Sequence, residues 1–196
     1  MIRDMAPTEI TEFSHESTAI EGLFLVQVKQ VDEDRGTVRE IFRDSVLRSV
    51  GRVGRAWPGE VRQVNLTSSR YGVIRGLHGE AMTKLVGVAA GHAFGAYLDA
   101  RATSSSYGTL VTLDLAPGRQ VLVPSGVCNG FQAVSTEGCL YLYCFDSEWS
   151  PDMVGVAVNP LDPALGIEWP VTIDPDDRSL LSAKDAQAPN FADLPG

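Results

Sequence analysis

The chain has 196 residues, 44% of them hydrophobic, and a formal net charge of -9. That length and composition suit a globular protein with one substantial core. The acidic balance argues against a nucleic-acid backbone or an anionic membrane surface as the main partner, since both need a clustered basic face, although a few local arginines can still hold a small phosphate-bearing ligand. The three cysteines, Cys128, Cys139 and Cys144, are odd in number and form no CxxC pair, so they describe neither a disulfide framework nor a zinc site. A reducing cytoplasm follows as the expected setting. The opening MIRDMAPTEITEF lacks an apolar core, and no run approaches the roughly 18 apolar residues of a membrane helix.

In chain order, Gly22 to Val28 reads as a strand, rich in β-branched and large apolar residues, and ends in the turn-like Asp32-Glu33-Asp34-Arg35-Gly36. Val38 to Arg52 reads as a short amphipathic helix, with Ile41, Phe42, Val46 and Leu47 near helical spacing. From Val61 onward, short apolar runs alternate with Gly, Pro, Ser and Asn, the punctuation of a sandwich or barrel. The runs are Val61 to Leu66, Gly72 to Leu77, Lys84 to Val88, His92 to Leu98, Gly108 to Leu113, Gln120 to Val123, Gly130 to Val134 and Cys139 to Phe145. Such a set predicts an all-β jelly-roll sandwich with short peripheral helices. No repeat or linker marks a second domain, so residues 1–196 read as one. The part from Asn159 to Gly196 is rich in Pro and Asp and is expected to wrap the sandwich, with one short helix near Ser179 to Ala186.

Only three histidines limit the chemistry: His15, His78 and His92. No HxH pair with a carboxylate is present, so no metal site is expected. His15 and His92 read as terminal and turn residues. His78, with Arg75 before it and Lys84 after it, is the best candidate for proton transfer, because imidazole has the unperturbed pKa nearest neutrality.

Several pieces occur in an order that carries a resemblance: Asp34-Arg35-Gly36 with Glu40, Gln63-Val64-Asn65, Gly72 through His78, Lys84-Leu85-Val86, Val127-Cys128-Asn129-Gly130-Phe131, Leu142-Tyr143 and Asp162 through Pro170. Together they resemble the dTDP-4-dehydrorhamnose 3,5-epimerase family of cupins, and Leu181 through Ala186 with Pro189 resembles that family's tail. The resemblance implies a homodimer acting on a dTDP-4-keto-6-deoxyhexose, with no metal or redox cofactor. It implies His78 as the base, Asp162 as the carboxylate holding the imidazole, Tyr143 as the acid on the opposite face and Lys84 as the cation near the ketone oxygen. It further implies Arg75 and Arg35 as diphosphate ligands, Gln63 and Asn65 as cleft residues, and Trp149 as the aromatic that stacks on thymine. The N-terminal segment, about residues 1–40 with Arg35 and Glu40, is expected to reach into the partner subunit's site.

The chain departs from the family pattern at Asn129, where the family usually has a histidine, and between Gly155 and Asp162, a longer run without the usual arginine. Both changes bear on how the sugar sits. The expectation is therefore a 3-epimerase of dTDP-4-keto-6-deoxyglucose, with the 3,5-double epimerase as the alternative. A 3,4-ketoisomerase or a non-catalytic sugar-nucleotide binding protein fits less well.

Overall fold

The computed structural model describes residues 8–51, 56–57 and 59–194. Its strands are β1 (Glu9–Thr11), β2 (Ser14–Ser17), β3 (Phe24–Gln27), β4 (Gln30–Glu33), β5 (Gly36–Arg39), β6 (Gln63–Ser69) and β7 (Ile74–Glu80). They continue with β8 (Lys84–Ala90), β9 (Ala93–Asp99), β10 (Leu110–Leu115), β11 (Arg119–Val123), β12 (Val127–Ala133), β13 (Cys139–Phe145) and β14 (Gly155–Ala157). Two short helices are α1 (Asp44–Leu47) and α2 (Ala183–Ala186).

Antiparallel pairing gives a six-stranded sheet ordered β2-β3-β11-β8-β13-β6 and a five-stranded sheet ordered β10-β9-β12-β7-β14, with β1-β4-β5 as a small third sheet. The two large sheets form a jelly-roll sandwich, as the alternating apolar runs predict. Period-two alternation decides which side chains meet. Val86, Val121, Tyr97, Phe131 and Tyr141 fill the space between the sheets, where the Phe131 and Tyr141 rings stack with centroids 3.9 Å apart. Their neighbours along the strands point outward and are covered by other parts of the chain. Leu85, Leu122 and Val26 pack under Leu47 of α1 and Trp57. Leu77, Ala96, Leu98 and Cys128 pack under the C-terminal segment, through Val158, Leu165, Ile167, Trp169 and Phe191.

The helix expected over Val38 to Arg52 is not formed at that length. Gly36–Arg39 pairs with β4 as a hairpin, and helix geometry is confined to Asp44–Leu47, entered at Arg43 without a side-chain cap; Arg52 lies outside the described residues. β-branched Thr37 and Val38 suit the hairpin, and a one-turn helix without a cap has little to extend it. The short helix expected near Ser179 to Ala186 is present as α2, capped by Ser182, whose side chain accepts from the Asp185 N–H.

One irregularity positions the later chemistry. Asn129 pairs with His78, but Phe131, two residues on, pairs with Arg75, three residues back. The extra residue in β7 is a bulge, and it turns Arg75 and His78 onto the same face although they are an odd number of residues apart. Gly76 lies in it with φ +116°. A Cβ at Gly76 would come within 2.6 Å of Gly130 Cα and 2.8 Å of the Asn129 carbonyl, so only glycine lets β7 and β12 approach this closely. Gly76→Ala is expected to destabilise the fold by about 2–4 kcal/mol, read as a lower midpoint in chemical denaturation; an unchanged midpoint would show that the bulge relaxes freely.

Candidate active site

At one end of the sandwich the inter-sheet residues change from apolar to polar, and a cavity of about 400 Å³ opens between the sheets. The five-stranded sheet supplies Arg75, His78 and Glu80 from β7 and Asn129 from β12. The six-stranded sheet faces them with Gln63, Asn65 and Thr67 from β6, Lys84 from β8, and Tyr143 and Phe145 from β13. Trp149 closes one rim, and Ser182, Lys184 and Asp185 of the α2 turn close another.

His78 Nε2 lies 2.7 Å from Asp185 Oδ1. An ionised carboxylate can only accept, so Nε2 carries the proton and the lone pair of the neutral ring is on Nδ1. Burial acts to raise the Asp185 pKa. Hydrogen bonds from His78, the charge of that ring, Ser182 and the Gly76 backbone outweigh it and hold the carboxyl below its ordinary value. Tyr143 stands on the opposite sheet between Tyr141 and Phe145, with ring centroids 5.1 Å and 5.5 Å away. Burial pushes its phenol well above the ordinary value, the Arg75 guanidinium drawing it partly back, so at neutral pH it keeps its proton. A basic imidazole on one wall and a protonated phenol on the other can remove and return a proton on opposite faces of a bound molecule.

Lys84 is buried at the base of the cavity, donating to the His78 carbonyl at 3.2 Å, to Asn129 Oδ1 at 2.6 Å and to Glu80. The amide at position 129 thus serves as an acceptor for the ammonium. Arg75 donates from Nε to Ser69 Oγ at 2.9 Å, leaving the rest of its guanidinium fork on the cavity side. Gln63 joins Asn65 and the rim: its Nε2 donates to Asn65 Oδ1 at 3.1 Å, and its Oε1 accepts from the Trp149 N–H at 2.8 Å. Trp149 keeps 51% of its surface, so its ring is open to a planar ligand.

The structure does not bring Asp162 to His78. Asp162 Oδ1 accepts from the Ala164 N–H at 2.9 Å and Oδ2 from the Phe191 N–H at 2.8 Å; it caps the turn over Pro163–Leu165 and ties the C-terminal segment down. The carboxylate at the imidazole is Asp185. It lies in a Ser-x-x-Asp pattern, Ser182 to Asp185, that reads as a helix cap, and the cap is real but leaves the carboxylate free to turn to His78. Glu80 and Lys184 are further cavity residues that the sequence did not single out. Arg35 and Glu40 do not line this cavity: Arg35 pairs with Glu33 at the tip of the β4–β5 hairpin, and Glu40 pairs with Arg43. Among the described residues no group of three or more His, Cys, Asp or Glu could hold a metal ion.

Residues 17–193 match the dTDP-4-dehydrorhamnose 3,5-epimerase family. A dTDP-4-dehydrorhamnose 3,5-epimerase of Streptomyces griseus is 33% identical, the alignment covering 90% of this chain and 86% of that one. A dTDP-4-dehydro-6-deoxyglucose 3-epimerase of a Streptomyces species is 31% identical, over 89% and 87% of the two chains. Among solved structures, NovW, a 4-keto-6-deoxy sugar epimerase from the novobiocin biosynthetic gene cluster of Streptomyces spheroides, superposes with a TM-score of 0.82 at 28% identity, covering 93% of this chain and 89% of that one.

The two carboxylates can be told apart by substitution. If His78 acts as a base, Asp185→Asn is expected to keep the fold and to lower the rate of proton abstraction, read as solvent deuterium exchange, about a hundredfold, because the ring loses its anionic partner. Asp162→Asn replaces one of two acceptors by a donor and is expected to lower stability by about 1–3 kcal/mol in chemical denaturation, with the exchange rate of the folded fraction little changed. The lowered Asp185 pKa contributes stability that is full above the ordinary carboxylate value and is lost as pH falls through the lowered one. Acid titration of Asp185→Asn is therefore expected to lack that part of the loss.

Proposed function

Because the chain belongs to the dTDP-4-dehydrorhamnose 3,5-epimerase family, we propose that it epimerises a dTDP-4-keto-6-deoxyhexose at carbon 3, beside the C4 ketone. The observation that carries this reading is the pairing of the Asp185-backed His78 on one sheet with Tyr143 on the other. His78 removes the C3 proton through Nδ1, and the electron pair of the broken C–H bond moves into the ketone as an enolate. The imidazolium that forms is stabilised by Asp185. Tyr143 then delivers its hydroxyl proton to carbon 3 from the opposite face, restoring the ketone with inverted configuration, and solvent resets both groups. The positive charge of Lys84 stabilises the enolate. Its three N–H bonds are directed at protein acceptors, so it acts here as a charge beneath the ketone oxygen.

The nucleotide half of the substrate is assigned to the other rim. Arg75 offers a forked donor to the diphosphate, Gln63 and Asn65 offer amides, and Trp149 offers an exposed ring for the base. The preference for carbon 3 alone over the 3,5-double epimerase rests on Asn129. An amide spent on Lys84 handles no proton, which leaves His78 and Tyr143 to serve a single centre.

A homodimer is part of this reading. Ile10, Val31 and Val38 stand in register across the small third sheet, and Ile10 and Val38 are exposed, an apolar stripe suited to a second copy. From that sheet the partner's hairpin could bring Arg35 and Glu40 to the cavity they do not reach in their own subunit. A cytoplasmic setting fits three buried cysteines that form no disulfide among the described residues.

Proton NMR of dTDP-4-keto-6-deoxyglucose in deuterated water tests the function. The expected result is deuterium at carbon 3 alone; deuterium also at carbon 5 makes the chain a double epimerase, and none at any carbon refutes epimerisation. His78→Asn is expected to abolish exchange. Tyr143→Phe is expected to retain exchange while product formation falls about a hundredfold.

A further inference from the structure

Lys84 is 2% exposed, and a charge so buried is costly unless it is paired. Of its three acceptors, the His78 carbonyl and the Asn129 amide oxygen are neutral, and Glu80 alone supplies a counter-charge. Glu80 is not itself buried. Its side chain keeps 24% of its surface and lines the cavity, two residues beyond His78 on the same face of β7. A carboxylate at that place opposes the enolate that epimerisation would build nearby, so its presence calls for a compensating role.

We propose that Glu80 is a positioning residue of the epimerase site: by pairing with Lys84 it keeps the ammonium protonated despite its burial and so maintains a positive charge beneath the ketone oxygen. The inference rests on the epimerase reading of the cavity. It stands on the contact, the burial and the surroundings of Lys84. β13 places Phe145 opposite Lys84, and β11 places Val123 there; neither carries charge. Tyr143 keeps its proton at neutral pH, its phenol raised by burial. On β12, burial pushes the Cys128 thiol up to about 12, so it too is neutral. On β7, His78 turns its ring to Asp185 and only its carbonyl to Lys84. Burial presses Lys84 below the ordinary lysine value, and the charge and hydrogen bond of Glu80 oppose that pressure. Without Glu80 the proton leaves Lys84 at a lower pH.

Glu80→Gln keeps the shape and an acceptor oxygen but removes the charge, and Glu80→Asp keeps the charge. Two readings decide the role in the folded full-length variants. NMR titration of the Lys84 side chain, recorded without substrate, should move to lower pH in Glu80→Gln and stay close to that of the unaltered protein in Glu80→Asp. The pH profile of deuterium exchange at carbon 3 should then show its alkaline limb displaced to lower pH in Glu80→Gln. On that limb the loss is about tenfold, with rates within about twofold on the acid side. An unmoved Lys84 titration overturns the proposal. So does an equal loss at every pH, which marks a structural role, or a rise in KM alone, which marks Glu80 as a ligand of a sugar hydroxyl. If the unaltered protein exchanges no proton at any pH, the epimerase reading fails, while the Lys84 titration still decides whether Glu80 holds the charge.

Discussion

The site depends on one hydrogen bond, His78 Nε2 to Asp185 Oδ1, made between residues 107 apart in sequence. The imidazole stands on β7, paired on both sides by β12 and β14. Its carboxylate arrives with the C-terminal segment and must be held within hydrogen-bond distance of the ring. Several contacts do this. Leu181 bridges to Ile74 at the start of β7, Ser182 caps the turn that carries Asp185, and Asp162 accepts from the Phe191 N–H. The two aspartates therefore divide the work: one is the imidazole's partner, and the other secures the segment that delivers that partner.

The sandwich supplies what a single sheet could not, two walls bearing different chemistry. His78 and Tyr143 sit on opposite sheets, so in the proposed reaction proton removal and proton return approach a bound molecule from opposite sides. The same alternation that buries Val86 and Phe131 between the sheets places His78 and Tyr143 there once the strands run beyond the apolar core. The bulge at Gly76 adds Arg75 to that face. Fold and site are thus one pattern, apolar in the middle and polar at the open end.

Much of this was legible in the sequence, and what was not has physical causes. The long strands β6 to β13 carry enough alternating or continuous apolar character to be read directly. β1, β2, β4 and β5 are short, mostly polar and nowhere buried, β4 half-buried and the others largely exposed, so hydrophobic periodicity carries little signal there. Asp162 was the more conspicuous aspartate, set before a proline in a distinctive run, but an aspartate before a turn is suited to capping that turn. Asp185 lies within a stretch that reads only as a short C-terminal helix and as the family-like tail, with no role of its own. Sequence spacing could not say that its carboxylate, freed from capping, faces a histidine from across the fold. Nor could it say that Lys84 would spend every donor on the protein itself.

The central claim is that Asp185 holds His78 with its proton on Nε2 and its basic lone pair on Nδ1. The direct measurement is 15N NMR of the His78 ring in the unaltered protein and in Asp185→Asn, at a pH where the ring is neutral. The account predicts a protonated Nε2 and a bare Nδ1 in the unaltered protein, with that preference weakened in Asp185→Asn. A proton on Nδ1, or a ring indifferent to the loss of Asp185, would contradict it.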